Sequence, residues 1–133
     1  MTGDYSKTPL QQKLGLKDGD KLGLINIPPH YFELFPEWPK VAIVENPAVK
    51  KDCIHCFVTR LSDLEKLLPV LRQQIEKKGC IWISWPKKAS RQPTDVTEDV
   101  IRTTAIKNGL VDIKVCAIDD TWSGLKLVNR RES

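Results

Sequence analysis

Four short stretches of this chain are apolar almost without interruption: residues 22–27, 41–44, 53–58 and 80–85. A strand with one face in water alternates apolar and polar side chains, whereas a strand covered on both faces loses that alternation. Runs of this kind therefore need helices or loops packed on both sides of their sheet. The segments between and after the later runs supply them. Ser62 and Glu65 have the spacing of a capping box, and Leu64, Leu67, Leu68, Leu71 and Ile75 form one apolar stripe that Gly79 ends. Pro69 inside that stripe removes one backbone donor. Asp95 and Glu98 repeat the capping spacing ahead of Val100, Ile101, Thr104 and Ala105, and Gly109 ends this second helix.

Strand followed by helix followed by strand implies parallel pairing with right-handed crossovers. Residues 111–118 read as a fifth strand, Asp119-Asp120 as a turn, and residues 122–128 as a sixth strand antiparallel to the fifth. The expected fold is α/β: a doubly wound, mainly parallel, Rossmann-like sheet of about six strands with a C-terminal antiparallel hairpin. Residues 1–133 read as one domain, with 1–18 a helical arm in which Thr8 caps, Pro9 opens the helix and Gly15 stops it. Tyr31 to Phe35 reads as a short helical stretch between the first two strands.

Composition narrows the class. With 133 residues, 41% hydrophobic and 29% charged, the chain is long enough to bury a core without disulfide or metal staples. No apolar run approaches a membrane span and residues 1–10 are polar, so a cytoplasmic protein with no membrane contact is expected. The net charge is +4, and the basic pairs Lys50-Lys51, Lys77-Lys78, Lys87-Lys88 and Arg130-Arg131 are scattered along the chain. Nucleic-acid binders concentrate such residues, so a nucleic-acid partner is not expected. The four tryptophans suit either an exposed patch, and hence a homodimer, or a core.

Cys53-Ile54-His55-Cys56 has metal-site spacing, yet it falls inside a strand, where positions i and i+3 face opposite ways. Cys53, Cys56, Cys80 and Cys116 are read as buried structural thiols, His55 as a hydrogen-bonded core histidine, and no metal is expected. Parallel sheets bind ligands at the carboxyl ends of their strands. That rule selects Pro28, Pro29 and His30, then Glu45, then Arg60, then Trp85, Lys87, Lys88 and Ser90, and finally Asp119, Asp120, Trp122 and Ser123. The turn at Asp119-Asp120 is expected on the same rim as Lys87-Lys88, beside the helix start at Asp95. Two readings of that rim compete: the lysines and the helix start bind an anion beside a tryptophan wall, or the aspartates pair with the lysines and the tryptophans are core.

Ser84-Trp85-Pro86-Lys87-Lys88-Ala89-Ser90, Thr94-Asp95-Val96-Thr97-Glu98-Asp99-Val100, Gly109-Leu110-Val111-Asp112 and Asp120-Thr121-Trp122-Ser123-Gly124-Leu125 resemble a bacterial family known only as a domain of unknown function. That resemblance implies a bacterial cytosolic protein and carries no activity. The layout is also similar to the later half of a Rossmann-like, S-adenosylmethionine-dependent methyltransferase. Such enzymes place a glycine-rich turn after the first strand, where this chain has Asn26-Ile27-Pro28-Pro29-His30. No bound cofactor is expected on that ground. The reading that follows is a non-catalytic module for an anionic small molecule or a protein partner. Its rival is a transferase-type enzyme holding an adenosyl cofactor in an unconventional pose, with Glu45 toward the ribose and His30 or Asp120 as proton acceptor.

Overall fold

The computed structural model describes residues 8–131. Its centre is a six-stranded sheet built from β1 (Lys21–Ile25), β2 (Ala42–Ile43), β3 (Lys51–Phe57), β4 (Ile75–Pro86), β5 (Leu110–Ala117) and β6 (Trp122–Asn129), in the spatial order β2-β1-β3-β4-β6-β5. The first four strands pair in parallel, and β6 pairs antiparallel with both β4 and β5. The expected hairpin is present. Its return strand is inserted between β4 and β5, so β5 forms the sheet edge.

Both faces are covered. Ile54, Cys56, Ile81, Ile83, Leu125 and Leu127 look toward α2 (Leu61–Arg72) and α3 (Glu98–Lys107), forming one core with Leu64, Leu68, Leu71, Ile101 and Ala105. Cys53, Phe57, Cys80, Trp82 and Trp122 look the other way, toward α1 (Leu10–Leu14) and a 3-10 turn at Tyr31–Leu34. Cys53 and Cys56 thus lie in opposite cores, as strand geometry requires. Cys53 and Cys80 are register neighbours whose thiols hydrogen-bond, which raises the first and lowers the second, while burial pushes Cys56 up to about 12.

Two expected helix boundaries shift. α1 starts after Pro9, with no side-chain cap from Thr8, although Gly15 adopts the left-handed stop at φ 75°. α2 ends at Arg72, and Ile75 belongs to β4 while still packing in the same core. Lys51 pairs with Ile75 but Cys53 with Cys80, so residues 76–79 bulge out of the ladder. Gly79 is therefore not a helix stop. A Cβ there would lie 3.0 Å from the carbonyl oxygens of Lys51 and Asp52, so glycine lets the bulge close on β3 without pushing that backbone away.

Neither expected capping box forms. Thr97 caps α3, its Oγ1 accepting from the Val100 N–H at 3.2 Å. The Leu61 N–H at the start of α2 donates to Asp95 Oδ1 at 2.7 Å, across 34 positions in sequence. Thr94 Oγ1 donates to the Thr59 carbonyl at 2.7 Å, fastening the same two segments. Asp95 thus caps its neighbour's helix rather than its own. Asp95→Ala is expected to lower unfolding stability by about 1 kcal/mol and Ser62→Ala by almost nothing, as read by urea denaturation. Equal losses would contradict this assignment.

Candidate functional site

The carboxyl rim brings together part of what the sequence indicated. The Lys87 N–H donates to the Thr121 carbonyl at 2.7 Å, and Trp85 pairs in register with Ser123, so the loop after β4 and the β5–β6 turn meet. Lys88 and Asp120 are exposed, whereas Lys87 and Ser123 are half-buried. Ser90 Oγ donates to the Lys87 carbonyl at 2.7 Å and accepts from the Gln92 N–H, which closes a small turn. His30 arrives from the loop after β1. Its Nε2 lies 2.9 Å from Asp119 Oδ2, while Asp119 Oδ1 accepts from the Thr121 and Trp122 N–H groups at 2.8 and 2.7 Å. One of the two readings of the rim paired Asp119 or Asp120 with a lysine; the structure sets Asp119 against His30. The pair is partly buried, with the histidine the more exposed partner, and contributes on the order of 1 kcal/mol.

Other indicated residues lie elsewhere. Trp85 and Trp122 are buried on opposite faces, so they are core and not a shared wall. Trp82 is buried too and Trp38 is partly buried, so the tryptophans form no exposed patch. Asp95 and Arg60 belong to the start of α2. Glu45 is exposed and lines a separate cleft of about 160 Å³ with Gly23, Ile25 and Lys51.

The space above β1 and β3 is the decisive feature. The chain leaves β1 toward β2 on one side and β3 toward β4 on the other, which makes this the switch point where open α/β sheets take ligands. Here it is filled from within. Tyr31, fully buried, meets Phe57 edge-on with ring centroids 5.7 Å apart, and Phe57 meets Trp122 edge-on at 5.0 Å. The loop above has Asn26 in the left-handed region at φ 55°, followed by Ile27, and then two prolines without N–H groups. The His30–Asp119 contact ties this loop to the far turn.

Beneath the aromatic row lies a polar chain that the sequence did not reveal as a unit. Tyr31 Oη is 3.0 Å from His55 Nδ1, and His55 Nε2 is 2.7 Å from Ser84 Oγ, all buried. A neutral imidazole has one donor and one acceptor nitrogen, so either tautomer satisfies both hydroxyls. Burial holds the His55 pKa down to about 3 and pushes the Tyr31 phenol up. The signal was the occurrence of His55 and Ser84 in two otherwise apolar strands that pair. Lys51 was also unforeseen: it is buried, and its Nζ donates to the Asn46 carbonyl at 2.8 Å and to Gln74 Oε1 at 3.1 Å. Among the described residues, no three potential ligands gather to hold a metal, and no helix is long and apolar enough to cross a membrane.

Solved structures with this architecture include methyltransferases. A ribosomal protein L11 methylase from Lactobacillus delbrueckii subsp. bulgaricus superposes with a TM-score of 0.58 at 11% identity, over 92% of this chain and 76% of that one. An S-adenosylmethionine-dependent methyltransferase from Clostridium acetobutylicum gives 0.59 at 9% identity, over 96% and 89%. The CcbJ methyltransferase from Streptomyces caelestis gives 0.60 at 5%, over 92% and 88%. At such identities the likeness shows the fold alone. No curated protein matches the sequence. Residues 57–131, more than half of the chain, match a family described as a protein of unknown function, DUF3052, and the chain belongs to that family.

Proposed function

We propose that this chain is a non-catalytic binding module on a methyltransferase-type fold, taking an anionic small molecule or an acidic segment of a protein partner on its carboxyl rim. The observation that carries this reading is the filled switch point: Tyr31, Phe57 and Trp122 occupy the crevice, under a loop whose two prolines offer no N–H. An adenosyl cofactor in these folds needs backbone donors and open space there. What stays accessible is the outer rim, where exposed Lys88 stands beside Lys87 and the 118–121 turn.

Isothermal titration with S-adenosylmethionine and S-adenosylhomocysteine is expected to show no binding up to about 1 mM, an affinity of about −4 kcal/mol. Stoichiometric micromolar binding of either would overturn the reading. Native mass spectrometry of gently purified protein then identifies the bound anion or partner. Its retention by a Lys87→Ala/Lys88→Ala variant would rule out the rim.

One observation favours a transferase instead. An aspartate anchored by two backbone N–H groups and oriented on a half-exposed histidine is the arrangement of a general base. If an adenosyl compound binds, His30 is the proton acceptor and Asp119 its positioning residue.

A further inference from the structure

A concentrated positive charge lies at the end of the molecule opposite the rim. The C-terminus of α2, the bulged start of β4 and the end of β6 enclose a cleft of about 740 Å³ lined by Lys50, Arg72, Lys77, Lys78, Arg130 and Arg131. Glu76, the acidic neighbour in the bulge, does not line it, and among the described residues none of the six cations has a carboxylate partner. Three basic pairs that are far apart in sequence, 50–51, 77–78 and 130–131, each send at least one member here.

The cations stand on fixed backbone. The bulge that Gly79 permits carries Lys77 and Lys78 out of the ladder. Asn129 Nδ2 donates to the Lys77 carbonyl at 3.0 Å, and Asn129 Oδ1 accepts from Arg72 Nε at 3.2 Å. The Arg130 N–H donates to the Gly109 carbonyl at 2.9 Å. Gly109 in turn leaves room for the Arg72 guanidinium, whose Cζ would lie 2.9 Å from any Cβ there. The C-terminal dipole of α2 offsets about half a unit of charge. It leaves most of six like charges uncompensated in one concavity, which raises the local concentration of anions.

We infer that this cleft binds the phosphodiester backbone of duplex nucleic acid, without reading its sequence. Three guanidinium and three ammonium groups on a cleft wall suit a repeating phosphate array, the guanidinium forks in two-point contacts and the ammonium groups as point charges. No aromatic side chain lines the cleft. Proteins that grip single strands rely on aromatic stacking platforms, so the missing platform favours a duplex, whose bases are already stacked. This site is separate from the rim and independent of the function proposed for it.

The test uses the full chain and a fluorescein-labelled DNA duplex of about twenty base pairs, read by anisotropy. Engaging about four phosphates gives a log–log salt slope of about −3.6, hence a loss of about a hundredfold in affinity between roughly 50 and 200 mM salt. Lys77→Ala with Arg130→Ala, both on exposed side chains, is expected to halve the slope and weaken binding at least about tenfold, with the thermal midpoint unchanged. Lys78→Glu with Arg131→Glu should abolish binding. Undetectable binding at about 50 mM salt, or affinity unaffected by both variant pairs, would overturn the inference. So would tighter binding of the single strand, or displacement by tripolyphosphate at equal phosphate concentration.

Discussion

Trp82→Ala is expected to remove about 3–5 kcal/mol of unfolding stability, a large share of the roughly 5–15 kcal/mol that holds a domain of this size. Trp82 is fully buried in the middle of β4, paired across the sheet with His55 on one side and Lys126 on the other. Its ring packs closely against β6 at Gly124, where a Cβ would lie 3.2 Å from the indole Cε3 and 3.0 Å from Ile118 Cδ1. Its Nε1 donates to the Leu14 carbonyl at 3.0 Å, the last residue of α1. Truncation therefore opens a cavity between sheet and arm and leaves a helix-end carbonyl without its partner. Trp82→Phe keeps most of the volume and isolates the hydrogen bond, with an expected cost of about 1–2 kcal/mol. Urea unfolding measures both, and amide exchange should show α1 opening first in either variant. A loss below about 1 kcal/mol for the alanine variant would mean that the arm does not depend on this residue.

Acid is expected to unfold the wild-type chain in a way that depends on His55. The folded imidazole, desolvated between Tyr31 and Ser84, has its pKa held down to about 3, against an ordinary value near 6.5 in the unfolded chain. Above pH 6.5 both states are neutral and this term costs nothing. Below it the unfolded state takes up a proton that the folded state refuses, so stability falls by about 1.4 kcal/mol per pH unit until the folded pKa is reached. Between pH 7 and 4.5 the loss from this group alone is about 2–3 kcal/mol. His55→Gln, whose amide keeps a donor and an acceptor, should be less stable at pH 7 and yet lose less on acidification. Other groups titrate in both proteins, so the difference between the two pH curves is the readout. Parallel curves would show that His55 does not carry this acid sensitivity.

Much of the framework was legible because it depends on local pattern. Unalternating apolar runs marked the strands, since side-chain direction has a period of two and both faces had to be covered. The same alternation placed Cys53 and Cys56 in opposite cores and made His55 a core residue. The positive-φ glycines at Gly15 and Gly109 also sit where helix ends were expected, because only glycine occupies that region without strain.

What the sequence determined by itself was therefore the parallel α/β class, the two-faced core and the loops that form the rim, all consequences of periods and turns a few residues long. The tertiary structure alone decided the rest. Asp95 has the spacing of a cap for its own helix, but its carboxylate accepts from the Leu61 N–H of the neighbouring helix, and a short side chain bonds a donor it can reach. His30 and Asp119 stand 89 positions apart, and Tyr31, Phe57 and Trp122 come from three segments, so no local pattern could show that they close the crevice. Lys50, Lys77–Lys78 and Arg130–Arg131 look like scattered solvated pairs along the chain. They form one cationic cleft because the β4 bulge and the insertion of β6 beside β4 bring three distant backbones together. Charge acts through space over about a Debye length, while sequence records only distance along the chain.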